Sequence, residues 1–313
     1  MKSNTSRPFH ASNSTSQDSS GENEDCCQSN GYSEEEMNHT IAICVVNVFL
    51  CLTALFGNST IIIAIWKTSS LHSPANMLLT SLAVSDFAVG LISHPLFIAT
   101  LVRQMYDIST SSRALWVAFN IVSTFLSGAS FLTVTAIGID RLLALQLHLR
   151  YVAVVTPFRV RWLIIFIWVI SGVSSSIGVR SLVLYYQVAA PVLVTLLVVN
   201  FVVYFRIYHI VRRHQVQIQQ RERQQDANNG NIFSMNRFKK TAMNTFLVYI
   251  LLLFCYTPQS FVAVALFKTS WRLSSKVAIT TGTIVLLNSS LNPLLYCWRV
   301  REIRTAIKQY FCC

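Results

Sequence analysis

Seven stretches of the chain carry almost no charge, and each is long enough for the roughly 20 apolar residues that cross a bilayer as a helix. They run from Ile41 to Trp66, Ala75 to Val102, Ala114 to Ile139, Trp162 to Val179, Ser181 to Phe205, Thr241 to Phe267 and Val277 to Trp298. Asp86 is the one acid or base of the Asp, Glu, Lys and Arg type inside them. Backbone N–H and C=O groups in hydrocarbon must find partners within their own segment or in a closed barrel, and these stretches are far too long for barrel strands. The expected fold is all-α, a seven-transmembrane helix bundle. Composition agrees: 53% of the residues are hydrophobic and 12% charged, against about 25% charged in a soluble domain. A water-soluble enzyme is excluded on that ground. No Ser/His/Asp or metal-ligand constellation shares one side of the membrane either, so catalysis is not expected.

The net charge of +12 would suggest nucleic acid in a soluble protein. Its distribution says otherwise. Lys67, Arg141, Arg150, Arg159, Arg161, eight basic residues from Arg206 to Lys240, and Arg299, Arg301, Arg304 and Lys308 all fall on one side of the bundle, against four acids. On the other side eight basic residues meet eight acids. The basic side is expected to be cytoplasmic and the N-terminus extracellular. The excess charge is read as topology plus attraction to anionic membrane lipid, with no nucleic-acid partner.

Residues 1–40 are polar and rich in Ser, Asn and Glu, which predicts a disordered extracellular tail. No cleavable signal succession precedes the first span, so that span is expected to start insertion. Asn4, Asn13 and Asn38 head glycosylation sequons on the expected outer side. Residues 41–298 form the bundle, and 299–313 read as a short amphipathic eighth helix and cytoplasmic tail. Cys312 and Cys313 end that basic segment, where lipidation of a membrane-lying helix acts.

A carboxylate within hydrocarbon is costly enough to mark function. Asp86 is a proton carrier, an ion site, or a neutral acid satisfied by its neighbours. Asn58, Ser130, Asn288, Ser289 and Asn292 are its candidate partners. Oxygen ligands around one carboxylate suit a small monovalent cation better than a transition metal. Pro258 and Pro293 each free a carbonyl inside a span and bend its helix, which gives a bundle the means to pack in two ways. A transporter or channel using Asp86 is the alternative class. It calls for repeated halves or a polar pathway with further ionisable groups, and the sequence has neither.

The chain resembles the rhodopsin-like G-protein-coupled receptors over Ile41 to about Phe311. The motifs that carry the likeness occur in the family's order: Gly57-Asn58, Leu82-Ala83-Val84-Ser85-Asp86, Asp140-Arg141, Trp168, Phe254-Cys255-Tyr256-Thr257-Pro258, and Asn292-Pro293-Leu294-Leu295-Tyr296. The resemblance implies a plasma-membrane receptor with two partners, an extracellular small molecule or peptide and a heterotrimeric G protein. It implies no cofactor beyond an allosteric sodium ion held by Asp86, Ser130, Asn288, Ser289 and Asn292. Asp140, Arg141, Tyr204, Tyr256, Pro258, Asn292, Pro293 and Tyr296 would form the switch: Arg141 meets the G protein once helix six swings out, and Tyr296 and Tyr204 support that open form.

Departures from the pattern carry information too. Tyr256 stands where the family usually has Trp, Leu142 replaces the Tyr of the Asp-Arg-Tyr motif, and no acid lies near Phe238, Lys239 and Lys240 to hold Arg141 from helix six. Basal signalling is therefore expected to be high. The short connection between helices four and five, the missing extracellular disulfide, and the segments Asp86-Phe87-Ala88-Val89-Gly90 and Tyr204-Phe205-Arg206-Ile207 look most like the adenosine, melanocortin and cannabinoid receptor group, adenosine receptors above all. Yet amine receptors need an acid where this chain has Ser123. Adenosine receptors hold the purine with an asparagine where it has Ala263, and opsins need a lysine near Leu286. The agonist stays unnamed.

Overall fold

The computed structural model describes residues 33–106, 109–147, 150–180, 182–224, 250–262, 275–299 and 304–307. Among them there is no strand. Seven membrane-spanning helices follow in order: α1 (Glu34–Lys67), α2 (Pro74–Met105), α3 (Ser109–Leu147), α4 (Pro157–Arg180), α5 (Leu182–Gln224), α6 (Ile250–Val262) and α7 (Ser275–Arg299). All but α6 are long and apolar enough to cross a membrane, and α6 is the described part of the span expected at 241–267. The helical turn 304–307 follows α7, with Arg304 and Thr305 exposed and Ala306 buried against Ile61, Ile65 and Leu79. Asn4, Asn13, Cys312, Cys313 and the side chain of Tyr296 lie outside the described residues.

Local chemistry sets the helix starts, and in α1 and α4 the helix begins well ahead of the apolar run. α1 begins at Glu34 rather than Ile41, so residues 34–40, read from composition as tail, belong to the helix. Ser33 accepts from the Glu36 N–H while the Glu36 carboxylate accepts from the Ser33 N–H, a reciprocal cap that satisfies two end donors. Glu34, Glu35 and Glu36 also sit at the positive end of the helix dipole. α4 starts at Pro157 rather than Trp162, its first turn carrying Arg159 and Arg161. Thr156 accepts from the Arg159 N–H, and a proline costs no bond in a first turn. α2 begins in the same manner at Pro74, capped by Ser73.

Within α2 the residues Val89–Ser93 form a π-helical turn just ahead of Pro95. Proline supplies no N–H to the preceding turn, and one extra residue in that turn absorbs the mismatch. The turn re-aims His94 into the bundle, where it is fully buried.

Packing follows the apolar faces. α1 lies against α2 and α7, and α3 runs among α2, α4 and α5. Leu252, Cys255 and Tyr256 bring α6 onto Leu82 of α2 and Phe131 and Val134 of α3. Hydrogen bonds tie the helices at several depths: Trp168 Nε1 donates to Ser81 Oγ (3.1 Å), Asn200 Nδ2 to Thr135 Oγ1 (2.8 Å), and Ser290 Oγ to the Leu50 carbonyl (2.8 Å). Such bonds are worth about 1 kcal/mol each in lipid, where neighbouring helices gain nothing from the hydrophobic effect. The outward faces show Phe49, Phe56, Phe166, Phe254 and Phe261, each more than half exposed. An apolar belt of that extent fits hydrocarbon surroundings.

Candidate functional site

Asp86 sits fully buried in α2. Ser130 Oγ of α3 donates to its Oδ1 at 2.9 Å, and Asn292 Nδ2 of α7 donates to its Oδ2 at 2.8 Å. Ser289, one turn before Asn292, bonds the same carboxyl, and Ser85 Oγ lies 2.9 Å from Ser130 Oγ. Asn58 reaches across from α1, donating to the carbonyls of Ala54 and Ser289. Three helices thus meet at one acid, because Ser and Asn fall at the single inward position that each helix offers at this depth. Asn288 is buried on α7 but makes no bond to the carboxyl. Carboxylate and hydroxyl oxygens form a donor set that suits a small hard cation. Asn292 presents nitrogen to the acid and orients it without offering a cation ligand by that contact.

At the end of the bundle away from Asp140 and Arg141 a cavity of about 250 Å³ opens between α3, α4, α5, α6 and α7. Among the described residues no charged side chain lines it. Phe119, Phe131, Leu196 and Leu286 supply apolar wall, and Asn120, Ser123, Ser171 and Gln259 supply polar points. Ser123 Oγ and Ser171 Oγ are buried without a partner, and a hydroxyl so placed is satisfied by a guest or a water. Tyr256 forms part of the wall, edge-on to Phe131 at 4.7 Å between ring centres, its hydroxyl directed at the Ser127 carbonyl 3.4 Å away. It lies two residues before Pro258 of α6. Ser123 and Leu286, the places where amine receptors carry an acid and opsins a lysine, both face this cavity. Ala263 lies outside the described residues.

On the basic side Asp140 is buried and accepts a hydrogen bond from the Tyr151 hydroxyl at 2.7 Å. Burial, then that bond and the nearby negative charge, push the Tyr151 phenol up to about 12. Arg141 is exposed, and the one ion pair among the described residues joins Lys276 to Glu35. Tyr204 is buried in α5 with its ring against Gly138 of α3, whose added Cβ would touch the ring at 3.4 Å. Pro293 packs on Gly57.

A second buried network escaped the sequence reading. His94 Nδ1 lies 3.0 Å from Asn47 Oδ1, and Asn47 Nδ2 donates to Thr283 Oγ1 at 3.1 Å, joining α2, α1 and α7. The signal was Pro95 inside an apolar run, which marks a local irregularity that turns a neighbouring side chain.

Residues 57–180 match the seven-transmembrane receptor (rhodopsin) family. The chain is similar to the adenosine receptor A2a of Canis lupus familiaris, 25% identical over 84% of this chain and 70% of that receptor. It is also similar to the human adenosine receptor A2a, 26% identical over 84% and 70%, and to the histamine H2 receptor of Cavia porcellus, 27% identical over 88% and 80%. The six motifs in order, the helical membrane bundle and these relatives together support a rhodopsin-like G-protein-coupled receptor related to the adenosine receptors.

Proposed function

We propose that this receptor converts binding of an uncharged small molecule, in the cavity between α3 and α7, into activation of a heterotrimeric G protein at its basic face. The observation that carries the ligand class is the lining itself. A guest there meets apolar wall and hydroxyl and amide groups but no counter-ion. A cationic amine would lose its hydration with no carboxylate to replace it, since Ser123 holds that place. The lining argues against carrying the ligand of the histamine H2 receptor over to this chain, and a neutral guest is in keeping with the likeness to adenosine receptors.

The switch follows from two-state linkage, in which a ligand shifts the bundle only by its differential affinity for the two packings. A guest in contact with Tyr256 acts next to Pro258, and outward movement of α6 makes room for the G protein at Arg141. Tyr204 and Tyr296 support that form. A sodium ion, when bound, neutralises the Asp86 carboxylate; Ser130 and Ser289 are the chain's other ligands to it, Asn292 orients the acid, and the arrangement favours the resting packing. The N-terminus is outside the cell, with Asn38, exposed near the start of α1, as a glycan acceptor alongside Asn4 and Asn13. Cys312 and Cys313 carry lipid at the plasma membrane's inner surface.

The test is ligand-free output of cyclic AMP and inositol phosphates, at matched surface expression, for the wild type, Arg141→Ala and Asp86→Asn. A basal signal removed by Arg141→Ala supports the reading and names the G-protein class. Equal output from the wild type and Arg141→Ala, across all G-protein classes, overturns the expectation of basal activity and moves the test to ion flux.

A further inference from the structure

At the cytoplasmic end of the bundle, in the orientation proposed above, a groove of about 540 Å³ runs between α3 and α5. Its walls are Leu145 and Gln146 from α3, and Phe205, Arg206, His209, Ile210 and Arg213 from α5. It is separate from the ligand cavity and from the Asp86 cluster. Among the described residues no acid lines it, and neither Arg206 nor Arg213 has an ion pair.

Helical spacing explains the arrangement. Val203, Tyr204, Ile207 and Val211 form the buried stripe of α5 and pack against Leu142, Leu145 and Leu253. Arg206, His209 and Arg213 fall beside that stripe at steps of three and four and stand exposed. Above them Phe201 stacks on Phe205, with ring centres 5.8 Å apart, and Phe205 meets the His209 ring edge-on at 4.8 Å. Both phenylalanines are 51% exposed on the lipid-facing side. An apolar aromatic ladder therefore leads down to a cationic groove, the profile of a boundary between acyl chains and headgroups.

The two arginines are seven residues apart, about 10 Å along a helix axis. A single phosphate spans only one of them. Guanidinium groups bind phosphate oxygens in pairs, and basic pockets between helices on the cytoplasmic side take anionic headgroups. We propose that the α3–α5 groove binds the headgroup of a polyphosphorylated inositol lipid, with Arg206 and Arg213 each holding a different phosphate and the acyl chains lying along Phe201 and Phe205. The occupant is a lipid and not a free phosphate, because the ladder supplies the apolar half of the site.

The experiment uses the full-length receptor in nanodiscs and measures binding of a fluorescent phosphatidylinositol 4,5-bisphosphate. Nanodiscs of phosphatidylcholine and of phosphatidylcholine with phosphatidylserine serve as backgrounds. Arg206→Gln/Arg213→Gln should weaken binding about 25-fold, roughly fivefold for each arginine removed at a membrane surface. Arg159→Gln/Arg161→Gln, which removes the same charge from α4, should leave binding within about twofold, and so should free inositol trisphosphate added as competitor. Equal losses in the two double variants would reduce the effect to general surface charge and overturn the site. Displacement by inositol trisphosphate at the lipid's own concentration would overturn the lipid assignment. Arg206→Lys/Arg213→Lys guards against misfolding: it keeps the charge but not the paired bonds and should bind between the wild type and the Gln pair. Binding is read without signalling, so its outcome is independent of the receptor test above.

Discussion

A methyl group placed on Gly57 of α1 would stand 2.6 Å from Cβ and 2.8 Å from Cγ of Pro293 in α7. The proline ring fills the notch that the missing side chain leaves, directly beside the Asn58 bond to the Ser289 carbonyl. A pyrrolidine ring has no rotamer by which to retreat, so Gly57→Ala must push the two helices apart. Overpacking of this kind costs about 1–3 kcal/mol. Gly57→Ala should lower the unfolding temperature of the detergent-solubilised receptor and reduce its surface expression. Gly172→Ala, whose new methyl would stand 3.6 Å from the nearest Phe125 atom in ordinary contact, should leave both unchanged.

The Asp86 cluster predicts a response to sodium. Ser130 and Asn292 hold the carboxylate at 2.9 and 2.8 Å, leaving oxygens toward a cation that favours the resting form. Replacing sodium by N-methylglucamine should raise ligand-free output of the wild type, and Asp86→Asn should remove the difference. Ser130→Ala deletes a donor to a buried acid, a loss of about 1–3 kcal/mol, and should weaken the sodium response while lowering stability. A sodium effect that survives in Asp86→Asn would place the ion elsewhere.

Tyr151 holds Asp140 away from its neighbour Arg141. Tyr151→Phe removes a bond to a charged acceptor, worth about 1.5–3 kcal/mol, and frees Asp140 to pair with Arg141. Ligand-free signalling should fall, and Tyr151→Phe/Asp140→Asn should restore it. The phenol's folded value, about 12, lies above the ordinary 10. Its contribution is therefore complete below pH 10 and is lost as pH rises through about 12. The unfolding-temperature gap between the wild type and Tyr151→Phe should stay constant from pH 6 to 9; a gap that closes within that range would refute the bond.

The spans were legible because seven runs without charge leave a backbone in lipid no choice but helix. Helix starts were less so, since Ser33, Thr156 and Pro157 act through capping geometry that hydropathy does not sense. Asp86 announced itself as the one acid inside the spans, and of the partners named for it Ser130, Ser289 and Asn292 bond its carboxyl. Asn288, a turn before Asn292 on α7, was named with them, yet it is buried without a bond to the carboxyl. The His94–Asn47–Thr283 network stayed hidden because the π-helical turn at Val89–Ser93 shifts the register after it, and a constant helical period then assigns His94 to the wrong face. The cavity could be characterised by what it lacks, through Ser123 and Leu286. Its shape depends on three-dimensional packing that no linear motif encodes.

The extension of α1 before its apolar run has its own consequence. Glu35 accepts from Lys276 Nζ of α7 at 2.7 Å, and Thr280, one turn further along α7, lies 3.2 Å from His39 Nε2. The Lys276 hydrogen bond and its positive charge hold the Glu35 carboxyl below its ordinary value of 4.5. A lowered folded value means that the pair's contribution is complete above 4.5 and is lost as pH falls through that lower value. Glu35 is 86% exposed at its side chain, so the contribution is screened by salt and local to the helix end. Hydrogen exchange across the first turns of α1 should be faster in Lys276→Gln than in the wild type at every pH from 7.5 to 5.5, with the difference shrinking only below 4.5 and at high ionic strength. A difference already gone at pH 5.5 would refute the Glu35–Lys276 pair as the tether of the first turns.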